Sequence, residues 1–200
     1  MHAGRAVPTD QLVEALWGPD PPAAVRNGLQ GLVSKLRRAL GSPGIVVSRG
    51  GGYALEVPPD SIDVHRYELL VAEGRAAAEV DPTRSIALLA EADGLWRGDA
   101  LTEFAYEEFA SVARRRLSEL RLAVVEERLD IELRLGRHQG VVGELEALTI
   151  AHPLRERPRG LLMVALYRTG RQADALRIYQ EGRRLLGEEL GLDPGPELRR

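Results

Sequence analysis

A chain of 200 residues, 44% hydrophobic and 28% charged, is long enough to bury the core of one large domain or two small ones. It has no cysteine, which excludes disulfides, thiolate nucleophiles and Cys-ligated zinc. No apolar run approaches the ~18 residues of a membrane span, and the opening MHAGRAVPTDQL lacks a signal-peptide pattern. The net charge of −3 hides an asymmetry, since five of the 27 basic residues and none of the 30 acids fall between Pro21 and Leu55.

That block predicts an anionic partner, because the acidic remainder would repel one. PTDQLVEALWG predicts a short helix with Thr9 as N-cap and Gly18 and Pro19 as its stop. Leu12, Val13, Leu16 and Trp17 would form its apolar face. PDPP is a rigid turn, and a second helix is expected from Ala23 to Leu40, ended by Gly41. At about 100° per residue, Val25, Leu29, Leu32, Leu36 and Leu40 point one way. Asn27, Gln30, Ser34 and Arg38 point the other way with Gly31 among them, Lys35 on one shoulder and Arg37 and Arg26 on the other. Amides, a hydroxyl and an arginine suit base edges in a major groove, and flanking cations suit the two phosphate backbones. A merely solvated face would mix signs to make i,i+4 pairs, whereas this one is positive or neutral throughout.

Ile45 to Ser48 and Tyr53 to Val57 are β-prone runs around a glycine-rich tip carrying Arg49, which predicts a hairpin. A phosphate loop is a poor reading, because RGGGY matches neither GxxxxGK[ST] nor GxGxxG and no helix follows directly.

Near Pro58 acids return and helical periodicity takes over. Asp63 is expected to cap a helix from Val64 to Val80, and DPTRSIALLAEADGLW to form a second, broken at RGDALTEF. Helical patterns follow from Tyr106 to Leu135, Gln139 to Ala151, Arg155 to Thr169 and Gln172 to Leu190. Pro158 is tolerated in a first turn, where N–H groups lack helical partners. RLGRHQGVVGELEALTIAHP aligns with RTGRQADALRIYQEGRRLLG at an offset of 34, matching Gly136 to Gly170, Arg137 to Arg171 and Leu145 to Tyr179. Thirty-four is the tetratricopeptide period, and Ala175, Tyr179 and Pro153 sit where that repeat expects a small residue, an aromatic and a terminating proline. About three such helix pairs would stack into a protein-binding solenoid.

TDQLVEALWG, AVRNGLQGLVSKLRRALG and VVSRGGGYAL, in that order, resemble the second and third helices and the wing of OmpR-type winged-helix domains. The version most like them occurs in SARP-type transcriptional activators, regulators of antibiotic and other secondary-metabolite gene clusters in actinobacteria. YELLVAEGRAA, LWRGDALTEF, LRLGRH, HPLRERPRGLLMVALYRTGRQADALRIYQ and ELGLDPGPELRR resemble that family's bacterial transcriptional activator domain. The resemblance implies a mainly α fold: a partial winged helix with a β-hairpin wing over 1–57, then a tetratricopeptide-like helical-repeat domain over 58–200. It implies a third helix in the major groove and a wing arginine at the adjacent minor groove or its phosphates. Those roles fall on Asn27, Gln30, Ser34, Lys35, Arg37 and Arg38, and on Arg49, with Arg26 as a further shoulder cation.

The mechanism expected is binding of copies to direct repeats in promoter DNA, with self-association and contact to RNA polymerase, in the cytoplasm at the nucleoid. The family domain begins with several strands and a first helix ahead of the position of Thr9. Only MHAGRAV stands there, which predicts that about half of the winged helix is missing from this chain, with HAGRAV as the tail of the first helix. The competing expectation is a truncated helical-repeat interaction module without autonomous DNA binding.

Enzyme chemistry is not expected. His2, His65, His138 and His152 form no ligand spacing, which predicts no metal or other cofactor. Glu107–Glu108 and Glu126–Glu127 are expected on solvated helix faces, since helix neighbours point about 100° apart. Ser34, Ser48 and Ser111 lie in no nucleophile elbow, and Trp17 and Trp96 read as core anchors.

Overall fold

The computed structural model describes residues 4–199, so His2 and the start of HAGRAV lie outside the described residues. It divides into two compact units, residues 4–67 with Asp99–Arg116, and Glu68–Gly98 with residues 117–199.

The first unit opens with β1 (Val7–Pro8), α1 (Thr9–Trp17), α2 (Val25–Ala39), β2 (Val46–Arg49) and β3 (Gly52–Leu55). The strands form an antiparallel sheet of order β1-β3-β2. Arg49 pairs with Gly52, so Gly50 and Gly51 are a two-residue turn. Their φ values of 58° and 77° are the two positive angles that a twist-matched hairpin turn requires. The third glycine belongs to the central strand. Two expectations are corrected here. Val7, expected in a helix tail, is a strand residue paired with Tyr53. Thr9 is the first residue of α1, not its cap; its Oγ1 donates to the Gly51 carbonyl at 2.7 Å and pins the helix start to the turn.

Val13, Leu29, Val33 and Val46 form this unit's buried cluster, with Leu12, Trp17, Val25, Ile45 and Tyr53 packed on it. The buried stripe of α2 is thus Val25–Leu29–Val33, an i,i+4 row. The expected apolar arc is rotated accordingly, and Leu32, Leu36 and Leu40 are exposed. Val33 takes their place because the hairpin packs on its side of the helix, where β2 supplies the buried Val46. The unit also holds a 3-10 turn at Pro59–Ser61, another at Thr102–Phe104, and the starts of α3 (Asp63–Ala77) and α5 (Glu108–Arg134).

The second unit contains the rest of α3 and α5 with α4 (Pro82–Asp93), α6 (His138–Ala151), α7 (Glu156–Arg168), α8 (Gln172–Leu190) and α9 (Pro196–Arg199). Leu129, Leu145, Leu162, Ala165 and Leu166 are its fully buried centre. Asp81 caps α4 by accepting from the Arg84 N–H at 3.0 Å, which satisfies an orphan donor at the helix start. Close approach of α3 and α4 uses Gly74, where a Cβ would lie 2.7 Å from Leu89 Cδ2. Ser85, itself buried, donates to the Gly74 carbonyl at 2.7 Å.

The 34-residue repeat is visible in the backbone. Gly136 and Gly170 have φ of 80° and 81°. The following Arg137 and Arg171 donate back to the carbonyls of Glu132 and Leu166, at 3.0 and 2.8 Å, the bond that closes a helix C-terminus over a left-handed glycine. Beyond α8 the chain returns to α7. Glu156 accepts from the Gly195 N–H at 2.7 Å, and Leu198 of α9 is buried. No described helix is long and apolar enough to cross a membrane.

The adjacent acids Glu126 and Glu127 do not lie on a solvated face. Glu126 is buried and paired with Arg155, and Glu127 pairs with Arg75. The angle between helix neighbours lets each acid reach a different arginine.

Candidate nucleic-acid interface

α2 starts after the PDPP turn with no acid in its first turn, and carries Arg37 and Arg38 in its last. Cations there complement the partial negative charge of the helix C-terminus. With Leu29 and Val33 inward, Asn27, Gln30, Ser34, Lys35 and Arg38 all lie on the exposed side. A Cβ at Gly31 would meet nothing within 4 Å, so the centre of this arc is open. Gly28 lies nearer α1: a Cβ there would be in ordinary contact with the Trp17 ring, at 3.5 Å.

The remaining three cations have partners inside the unit. Arg37 is half-buried, and its Nε donates to the Val46 carbonyl at 2.7 Å. It therefore fastens α2 to the hairpin strand that carries Arg49, where a phosphate-facing shoulder was expected. Arg26 pairs with Asp10 of α1 at 3.1 Å, with the two side chains 73% and 85% exposed. Arg49 pairs with Glu56, both well exposed. Pairs so open to water are worth about 0–1 kcal/mol, so a phosphate can displace Asp10 or Glu56 from its arginine. The sequence does not show these pairings, because Asp10 lies 16 residues from Arg26 and Glu56 lies seven from Arg49. What marks them is position: Asp10 is in the first turn of α1, and Glu56 directly follows β3.

The arrangement is an exposed helix face of amides, a hydroxyl and cations, with a hairpin in the same unit that carries an arginine on the strand end next to its turn. It offers no nucleophile with a base and no oxyanion cradle. The described residues include no group of three or more His, Asp or Glu able to hold a metal ion.

Residues 62–200 match the family model described as bacterial transcriptional activator domain. Residues 1–55 match the one described as transcriptional regulatory protein, C terminal. The chain is 45% identical over 199 residues to the regulatory protein AfsR of Streptomyces griseus, covering 99% of itself and 20% of that protein. It is 39% identical over 209 residues to the regulatory protein DnrI of Streptomyces peucetius, covering 99% and 77%. The solved structure of Mycobacterium tuberculosis EmbR in complex with a low affinity phosphopeptide superposes with a TM-score of 0.94 at 33% identity, over 99% of this chain and 54% of that one. The chain thus spans a fifth of AfsR and about half of the solved EmbR chain.

Proposed function

This chain belongs to the family of bacterial regulators that join an OmpR-like DNA-binding region to a bacterial transcriptional activator domain, and on that premise we propose that it is a SARP-type, sequence-specific DNA-binding transcriptional activator. Residues 1–57 are the DNA-binding part and 58–200 the activator part. The observation that carries the reading is the acid-free polar arc of α2, directly opposite its buried stripe. Asn27, Gln30, Ser34 and Arg38 face base edges, Lys35 and Arg26 take flanking phosphates, and Arg49 anchors the wing. Arg37 holds the wing in place through Val46. Only Lys35, Arg26 and Arg49 are left to meet phosphates, so one module binds weakly and two copies on direct repeats gain from avidity. The helical domain holds the copies together or touches RNA polymerase. The protein acts in the cytoplasm at the nucleoid, on secondary-metabolite genes.

Fluorescence anisotropy on duplexes with and without direct repeats tests this. Equal, negligible binding to both would leave a helical-repeat interaction module that does not bind DNA by itself. The salt dependence reports which cations act. Lys35 alone would give a slope of log affinity on log salt of about −0.9 per chain, and Lys35, Arg26 and Arg49 together about −2.7. Arg38→Ala is expected to blunt discrimination between sites by roughly tenfold, while Lys35→Ala weakens all duplexes alike by a few-fold. A specificity ratio unchanged by Arg38→Ala would remove Arg38 from base readout.

The Arg49–Glu56 pair gives a prediction of opposite sign. Glu56→Ala frees the wing arginine from its own carboxylate and is expected to raise DNA affinity about two- to fivefold at low salt, the range of an exposed pair. Titrations of the variant against the parent chain read this directly, and weaker binding would place Arg49 away from the phosphates.

A further inference from the structure

α2 runs unbroken from Val25 to Ala39, yet it carries Gly31 in the middle of its polar arc. A glycine inside a helix lowers stability relative to alanine. Gly74 and Gly182 have a reason within the protein, since a Cβ would lie 2.7 Å from Leu89 Cδ2 in one case and 2.4 Å from Arg159 Cδ in the other. Gly31 has no such reason: a Cβ there would meet nothing within 4 Å, and its φ lies outside the left-handed range. Its place on the helix supplies another. Gly31 stands two residues from each of the buried residues Leu29 and Val33. At about 100° per residue it points within roughly 20° of directly away from both.

With α2 in a major groove, this bare spot is what meets the groove floor. Asn27, Ser34 and Lys35, at i−4, i+3 and i+4, surround it and are exposed. The spot itself has no hydrogen bond to give, because the N–H and carbonyl of a mid-helix residue are paired along the helix. A polar base-edge atom pressed against it would lose water and gain no partner. Thymine alone adds an apolar group to the major-groove edge, its C5 methyl. We propose that Gly31 is a specificity-determining residue, whose missing side chain admits a thymine methyl against the backbone of α2. The proposal rests on the DNA-binding reading and adds to it a base preference at one position of each repeat.

The test uses the duplex that the full chain selects from a random pool, with its thymines replaced one at a time by deoxyuridine, which lacks only the methyl. At one thymine of each repeat the parent chain is expected to lose about three- to fivefold in affinity, the worth of one buried methyl group. Gly31→Ala fills the spot with a methyl of its own. It should bind the thymine duplex roughly tenfold more weakly than the parent chain does, and should prefer deoxyuridine at that same position. The preference thus reverses, which a merely structural role for Gly31 would not produce. The variant should also melt about 2–6 °C higher, because alanine is the better helix former. Gly143→Ala in α6, where a Cβ is equally open, is the control and should leave DNA affinity unchanged. A Gly31→Ala chain that melts lower, binds like the parent chain, or loses affinity equally on every duplex would overturn the proposal. So would a selected site in which no thymine methyl matters, and each of these results leaves the DNA-binding reading standing. A parent chain that selects no duplex overturns that reading, and this proposal with it.

Discussion

Arg155→Ala is expected to lower the unfolding free energy of the helical unit by about 3–5 kcal/mol, the cost of leaving one member of a buried ion pair alone. Glu126 is 1% exposed, and Arg155 holds it through Nε at 2.5 Å and Nη2 at 3.2 Å. The third guanidinium nitrogen reaches Glu119 at 2.7 Å. The hydrogen bond to Glu126 is the chief cause that pushes the Arg155 pKa above its ordinary value, with burial pulling the other way. Arg157 stands 3.9 Å from Glu126 and is half-exposed, too distant and too hydrated to take over both oxygens. Urea unfolding followed by circular dichroism measures the loss. Adding Glu126→Gln to Arg155→Ala removes the stranded charge and should recover a large part of it. A loss below about 1 kcal/mol for Arg155→Ala would mean that Glu126 does not depend on this partner.

Local signals made most of the second unit readable from sequence. The expected helices from Gln139, Arg155 and Gln172 start within a residue of α6, α7 and α8, because Gly136, Gly170 and Pro158 mark turns and first turns chemically. α9 carried too little periodicity to be seen; it is four residues long and is held by Leu198 and by Glu156 across the chain. Gly182 is a similar case. Mid-helix it reads only as a residue that weakens α8, but a Cβ there would lie 2.4 Å from Arg159 Cδ. Arg159 is buried against it and donates to the carbonyls of Ile178 and Pro153, both at 3.1 Å. Burial pulls the Arg159 pKa down, and the charge of Glu181 opposes that pull.

The first unit was readable in its exposed polar residues and in part of its core, since Val13, Val25 and Leu29 lie inward as expected. Periodicity alone allowed either Leu32–Leu36–Leu40 or Val33 beside Val25 and Leu29 as the inner row, since both are apolar at helical spacing. The choice depends on where the hairpin packs, a long-range fact. The polar arc survived because it lies opposite both rows. The same long-range contacts joined Arg26 to Asp10 and Arg37 to Val46. On a helical wheel these two cations look equivalent, yet one is a solvent-exposed pair and the other a structural tie.

The triple glycine divides the same way, and substituting its members one at a time should expose the division. Gly52→Ala places a Cβ 2.0 Å from the Val7 carbonyl oxygen, 2.7 Å from its carbon and 2.9 Å from Pro8 Cα. All three are backbone atoms, so no side-chain rotation relieves the clash and β1 must leave β3. The movement carries into α1, because Thr9 donates both its N–H and its hydroxyl to Gly51. The expected cost is about 2–3 kcal/mol, the upper part of the range for overpacking, and affinity for repeat DNA should fall as the wing loses its anchor on α1. Gly50→Asn is the contrast. Its φ of 58° is positive and its Cβ position is open, and asparagine is favoured at the first position of this turn. That change should cost under about 0.5 kcal/mol. Thermal unfolding of the two variants gives the comparison, and equal losses at Gly50 and Gly52 would show that the third glycine serves the turn and not the strand.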